Sequence, residues 1–148
     1  MANHAPIELG KFAPYQLSIV SNTVSEAIAR EYRERFDLGT IEWRVMAVLA
    51  WHDGEGLSAR AVARLTAMDK VAISRALARL VARRLVLRRV HPGDKRRSVL
   101  RLSAAGWRIH DVVAPLARAR EREFLQALDT DERRWLGRIL DKLMATAG

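Results

Sequence analysis

Arg75 and Arg79 stand one helical turn apart, and the positions around them are small: Val71, Ala78 and Ala82 on the same outer face, with Ser74 and Ala72 on its two flanks. A guanidinium is a planar fork that donates two parallel hydrogen bonds to a phosphate or to the O6 and N7 edge of guanine, provided that its backbone comes close. Alanine and valine permit that approach and offer methyl groups to the methyl of thymine. The opposite face carries Ile73, Ala76, Leu77 and Leu80, with Val81 at its edge, so the stretch from about Asp69 to Arg84 reads as an amphipathic helix. A solvated helix rich in helix-favouring alanine would show the same period. What separates the two readings is the charge on either side.

Between Arg60 and Arg101 the chain holds 13 of its 26 Lys/Arg and only 2 of its 17 Asp/Glu. That segment therefore carries +11 and the remainder −2, which together make the formal +9. A patch so concentrated repels itself unless a polyanion lies against it. The segment has no Phe, Tyr or Trp, the stacking platforms that RNA or a single strand would use, so its composition favours duplex DNA.

At 148 residues, 49% of them hydrophobic and 29% charged, the chain fits one folded domain spanning 1–148. No apolar run approaches the roughly 20 residues that span a bilayer, and the first residues have neither a basic stretch nor an apolar core resembling a secretion signal. A cytoplasmic protein with no membrane partner is expected. Cysteine is absent, which rules out disulfides and thiolate metal sites, and His4, His52, His91 and His110 lack metal-ligand spacing. There is no Gly-rich phosphate loop, no His-Glu-x-x-His and no nucleophile elbow. Neither catalysis nor a cofactor is expected.

The elements that must position the basic segment follow from periodicity and breaks. Residues 1–11 read as a loose tail. A helix starts near Phe12, with Val20, Val24, Ala27/Ile28 and Tyr32 on one stripe. Gly39 breaks it and Thr40 reads as the cap of a second helix, Ile41–His52, with Glu42 in its first turn; Asp53-Gly54-Glu55-Gly56 stops that helix. Ser58 caps a short third helix, Ala59–Leu65, which Thr66-Ala67-Met68 separates from the fourth. The period then changes to two: Val86–Val90 and Ser98–Leu102 are strand candidates flanking a loop, His91–Arg97, whose Pro92-Gly93 reads as a turn. Ser103 caps a long helix to about Leu128, with a kink expected at Pro115. Thr130 caps the last, where Trp135, Leu136, Ile139, Leu140, Leu143 and Met144 form an apolar stripe. The first and last helices are too few for a core of their own. Either they fold back on the monomer, or a second copy covers them in a symmetric dimer, which is the expectation adopted.

Taken in order, these elements resemble the MarR family of winged helix-turn-helix transcriptional regulators. The likeness covers about Phe12 to Ala145 and is carried by Leu57-Ser58, Val62-Ala63, Asp69 to Arg75, Leu80, Arg84-Leu85-Val86, Arg89, Pro92 to Arg97 and Leu100 to Gly106. It implies a mainly α fold with a small β-hairpin wing: a winged helix-turn-helix lobe at 40–102, with dimerisation helices at 12–36 and 103–146. The fourth helix becomes the recognition helix, with Lys70, Val71, Ala72, Ser74, Arg75 and Arg79 at bases or phosphates. Ser58 and Arg60 meet the backbone. Lys95, Arg96 and Arg97 form the wing, Arg96 entering the minor groove, and Asp94 shapes it by pairing with the wing arginines. Two positions depart from the family pattern: Ala72 stands where Thr is frequent, and Ala61 where Glu is frequent.

The resemblance further implies a homodimeric regulator, usually a repressor, bound to a pseudo-palindromic double-stranded site with half-sites about one helical turn apart. It also implies a small aromatic or anionic effector that binds between the dimerisation helices and the DNA-binding lobe. Tyr15, Trp43, Arg44 and His52 are the candidates for that cleft. Three alternatives stand beside this one: a non-specific basic nucleic-acid-binding protein without ligand control, an RNA-binding protein, and a winged-helix protein–protein module. The wing separates the last of these, since a protein-binding module has no use for charge at its tip. Substituting Arg96→Ala is expected to weaken binding to any duplex and flatten its salt dependence by about 0.9 in the log–log slope. A titration at several salt concentrations reads this, and an unchanged slope removes Arg96 from the interface.

Overall fold

Leu, Val and Ile at helical spacing fix where the core lies, and the caps fix where each helix begins. The computed structural model describes residues 4–147, with the side chains of Lys95 and Arg96 outside that description. A 3-10 turn at Leu9–Lys11 leads into α1 (Ala13–Phe36), α2 (Thr40–Trp51), α3 (Ala59–Thr66) and α4 (Lys70–Ala82). The antiparallel strands β1 (Val86–His91) and β2 (Asp94–Leu102) follow, then α5 (Ala104–Leu125) and α6 (Thr130–Ala147). The core is built from Val45, Met46 and Leu49 of α2, Val62 of α3, and Ile73, Ala76, Leu77 and Leu80 of α4, closed by Val86, Leu100 and Leu102 of the hairpin. The four α4 positions are those that the 3.6-residue period assigns to the inner face.

Ser58, Asp69 and Ser103 cap α3, α4 and α5, their side-chain oxygens accepting from the N–H groups of Ala61, Ala72 and Gly106 at 3.1, 3.0 and 3.0 Å. Two expected caps move back by one residue. Gly39, extended at φ −77° and ψ 163°, precedes α2, while Thr40 lies inside the helix with its side chain hydrogen-bonded to buried Tyr32. Asp129, not Thr130, caps α6: its carboxylate accepts from Glu132 N at 2.8 Å and the Glu132 carboxylate accepts from Asp129 N at 2.8 Å, a reciprocal box. Helix α5 stops at Leu125 and continues through Pro115 without interruption.

The hairpin differs from its expected form. The strands run to within two residues of each other, so the tip is Pro92-Gly93 alone. Pairing steps from Val90↔Ser98 to His91↔Asp94, leaving Lys95, Arg96 and Arg97 as an insertion on β2. A run of Asp-Lys-Arg-Arg has no strand propensity and reads as loop; the pairs His91↔Asp94 and Val90↔Ser98 on either side carry the strand across it. Leu57 extends the sheet on the other side, exchanging two backbone bonds with Leu100 at 3.1 and 2.8 Å.

Two glycines hold close approaches. Gly56 has φ +73°, and a Cβ there would fall 2.4 Å from Val99 Cγ1. At Gly106 a Cβ would fall 2.2 Å from the Leu85 carbonyl oxygen, so α5 starts flush against the end of α4's outgoing chain.

Only part of the expected α1 stripe is covered. Ala29 and Tyr32 are buried, whereas Val20 is 45% exposed. Helix α6 has no buried residue, and Trp135, Ile139, Leu143 and Met144 are all exposed. The monomer therefore does not fold its apolar stripe inward. Gly106→Ala is expected to cost about 1–3 kcal/mol of stability through overpacking against backbone. It should appear as a lower urea midpoint at unchanged slope; an unmoved midpoint means that the Leu85 segment gives way freely.

Candidate nucleic-acid interface

The turn between α3 and α4 sets the interface. Ala67 closes α3 in the left-handed region at φ 51°, its N–H returning to the Ala63 and Arg64 carbonyls, and buried Thr66 donates to Val62 O at 2.8 Å. A β-carbon in that region costs about 1–2 kcal/mol, which the surrounding packing must offset. Met68 N returns to Ala63 O at 3.3 Å, and Asp69 then starts α4 with Lys70, Val71, Ser74 and Arg75 exposed and Ala72 half-buried. The first two turns of α4 thus present the Lys70 cation and the Ser74 hydroxyl on one edge beside the helix N-terminus, an arrangement suited to phosphate.

Ser58, Arg60, Arg64 and Lys70 line a groove of about 480 Å³ between α3 and the start of α4. Because the Ser58 Oγ accepts from Ala61 N, its own hydrogen remains available to donate outward. Arg64 was not among the residues expected from sequence. Its spacing from Arg60 (i, i+4, hence the same face of α3) was the signal that would have found it. Arg88 and Arg89 are likewise exposed on β1.

Other members of the basic segment turn inward. Arg79 Nη1 lies 3.0 Å from Glu42 Oε1, although the Arg79 side chain is 63% exposed. Arg83 donates to the Phe36 and Asp37 carbonyls at 2.6 and 2.8 Å, tying the end of α4 to the end of α1. Arg101 donates to Gly54 O at 2.6 Å and holds the α2–α3 connection. Glu42 lies in the first turn of α2 as expected but is only 3% exposed, and its spacing gave no sign of this burial because its partners lie far along the chain.

On the wing, Arg97 and Asp94 are exposed, and Asp94 pairs with His91 in register. The contacts expected of the Lys95 and Arg96 side chains lie outside the described residues.

The expected ligand residues separate into two groups. Trp43 and Arg44 line a recess of about 150 Å³ with Ser25, Ile28, Tyr32 and Thr40, between α1 and α2. Tyr15 does not reach it: 17 residues before Tyr32, it lies about 25 Å away along α1 at 1.5 Å per residue. His52 stands beyond the opposite end of α2. What sequence reasoning missed is the aromatic column behind the recess. Tyr32 stacks on Trp43 with centroids 5.6 Å apart, Trp43 stacks on His110 at 5.8 Å, and Trp107 meets His110 edge-on at 5.1 Å. Burial pushes the Tyr32 phenol above its ordinary pKa, partly offset by the Thr40 hydrogen bond and the nearby Arg33 and Arg44 charges. Among the described residues no cluster of His, Asp and Glu is placed to hold a metal, and no helix is long and apolar enough to cross a membrane.

A three-helix unit with an exposed, cation-bearing α4 and an adjoining β-hairpin defines a winged helix-turn-helix DNA-binding protein. Residues 36–97 match the model of the MarR family. The chain is 31% identical to the transcriptional regulator HosA of Escherichia coli O111:H- over 116 residues, covering 78% of this chain and 84% of that one. Its fold is similar to a MarR/EmrR family regulator from Acinetobacter sp. ADP1, with a TM-score of 0.83, 25% identity and coverage of 95% and 98%. It is also similar to a MarR family regulator from Silicibacter pomeroyi, with a TM-score of 0.80, 27% identity and coverage of 98% and 96%. The chain belongs to the MarR family: it is a DNA-binding transcriptional regulator and not an enzyme.

For such a protein, Arg64→Ala is expected to weaken binding to every duplex alike and to lower the salt slope by about 0.9 for each phosphate that the side chain had neutralised. Binding isotherms at three salt concentrations check this; weakening confined to one sequence would make Arg64 a base contact instead.

Proposed function

We propose that the chain is a homodimeric repressor that reads a pseudo-palindromic operator with α4, braced by the wing, and is released by a small aromatic or anionic effector. The outer face of α4 carries this reading. Lys70, Val71, Ser74 and Arg75 are exposed along one side of a helix whose other side is locked into the core, which is the geometry of direct major-groove readout. Ser58, Arg60 and Arg64 flank it as phosphate contacts, and Ala72 faces the groove edge without a hydroxyl. Arg97, with Lys95 and Arg96, supplies the wing, and Asp94 shapes it. The lobe is residues 40–102; residues 12–36 and 103–146 pair with a second copy.

Dimerisation is supported by apolar area that the monomer leaves open: the first half of α1, where Leu17, Ile19 and Val20 are exposed beside Phe12, and the whole of α6. Monomers rarely keep contiguous patches of this kind uncovered. Two solved structures of the same fold support the partners. One is S. aureus MepR in complex with DNA, at 18% identity and TM-score 0.79, covering 93% of this chain and 97% of that one. The other is Streptomyces coelicolor PcaV with its natural ligand, at 21% identity and TM-score 0.78, covering 98% and 100%. The recess at Trp43 and Arg44 is the effector site in this proposal. Its roughly 150 Å³ matches the size of cavity known to take a single benzene ring, and the Arg44 guanidinium offsets an anion. The protein acts where the chromosome lies, in the cytoplasm.

The experiment is fluorescence anisotropy with a labelled duplex from the gene's own upstream region against scrambled duplex. Preference of about 10³-fold or more at ~150 mM salt establishes sequence-specific regulation. Equal, salt-erased binding to both would leave a non-specific basic protein. Arg75→Ala is expected to cost about 1–3 kcal/mol on the preferred duplex and relax its choice at particular base pairs. Uniform weakening across sequences would demote Arg75 to a phosphate contact.

A further inference from the structure

We infer that Glu42 is a positioning residue for DNA recognition: it holds Arg79 on the α2 side of the recognition helix and withholds it from phosphate. This rests on the DNA-binding reading of α4 and assigns to Arg79 a role opposite to the one its exposure suggests.

The Glu42 carboxylate is almost wholly buried, with Oε1 3.0 Å from Arg79 Nη1. Its other oxygen, Oε2, has no hydrogen-bond partner; Arg83 Nη1 stands 3.9 Å from it, too far to donate. Arg83 is committed elsewhere, since both of its Nη groups donate to the carbonyls of Phe36 and Asp37. Arg79, at 3.0 Å, is therefore the closest cation that the structure describes for this buried charge. Moving it to a phosphate would strand the carboxylate in a low-dielectric site, and the loss of a buried partner outweighs the gain of one solvent-screened phosphate contact.

The helical positions agree. Arg79 shares its flank with Ala72 and Arg83, and together with Thr40, Glu42 and Arg75 it borders a groove of about 450 Å³ between α4 and the start of α2. Val71 and Ala78 face further outward, and Ser74 lies on the opposite flank. An extra unrestrained arginine on α4 would bind any phosphate and raise affinity for every sequence equally, which dilutes discrimination. Neutralised by Glu42, it does not.

The test compares the wild-type chain with Glu42→Gln, Arg79→Gln and the double variant, measuring the salt dependence of binding to a random-sequence duplex and to the preferred one. Glu42→Gln frees Arg79, so the slope on random duplex should steepen by about 0.9 per protomer, and preference should fall severalfold. The double variant should return to the wild-type slope. It has no stranded charge, so it decides the matter even where a single variant fails to fold. A double variant flatter than wild type by that same increment would show that Arg79 already touches phosphate, and Glu42→Gln with a wild-type slope would likewise overturn the inference. A wild-type chain without sequence preference would defeat the regulator reading while leaving the slope comparison on random duplex intact.

Discussion

The two carbonyls that α1 leaves unsatisfied at its end are taken by a side chain of the recognition helix. Asp37 turns into the left-handed region at φ 49°, which ends α1 and points the Phe36 and Asp37 oxygens toward Arg83. Helix ends normally satisfy such carbonyls with water or with a glycine-based cap. Here they bind a guanidinium 46 and 47 residues away, so the position of α4 is referred to α1 and not only to the core beneath it. A displacement at the end of α1 is transmitted to α4, because bonds to a charged donor with fixed fork geometry resist stretching more than apolar packing does.

That tie gives the recess at Trp43 a physical route to the interface. The recess is walled by Ser25, Ile28 and Tyr32 on α1, and Tyr32 is stacked on Trp43 and through it on His110 of α5. Arg120 of α5 also pairs with Glu31 of α1 at 2.8 Å. In the proposed function, an effector larger than that recess would move α1 relative to α2, and α1 ends at the carbonyls that Arg83 holds. In the proposed dimer, both copies of α1 belong to the pairing surface, so the same movement also changes the separation of the two recognition helices. Coupling of this kind is reciprocal: whatever effector binding costs the DNA complex, DNA binding costs the effector.

How much of this was legible beforehand depended on the range of the interaction. Helix α4 could be read almost residue by residue, because its inner face is a local period and its cap is the adjacent Asp69. Ser58 and Ser103 were legible for the same reason. The caps at Thr40 and Thr130 were misplaced by one residue. In the first case the threonine hydroxyl serves a residue of another helix, and in the second the Asp129–Glu132 box competed with an equally plausible local reading. The hairpin's insertion was hidden because the pairs that bracket it, His91 with Asp94 and Val90 with Ser98, are main-chain contacts that side-chain identity does not report. Glu42 and the aromatic column were invisible in principle: Glu42 meets Arg79 37 positions later, and Trp43 meets His110 across 67. No window along the chain contains both partners.

The same distinction changes what a basic segment means. A count of +11 across residues 60–101 treats every cation as available to DNA, yet Arg79, Arg83 and Arg101 each have a partner within the protein. Their charge still contributes to the long-range field that draws in a polyanion, since that field depends on total charge and not on which hydrogen bonds are made. It contributes little to the number of phosphates neutralised, which depends on donors that are free to reach them. Association rate and salt slope therefore report different subsets of the same arginines. The structure supplies that separation by committing its inward cations to helix ends and to one buried carboxylate.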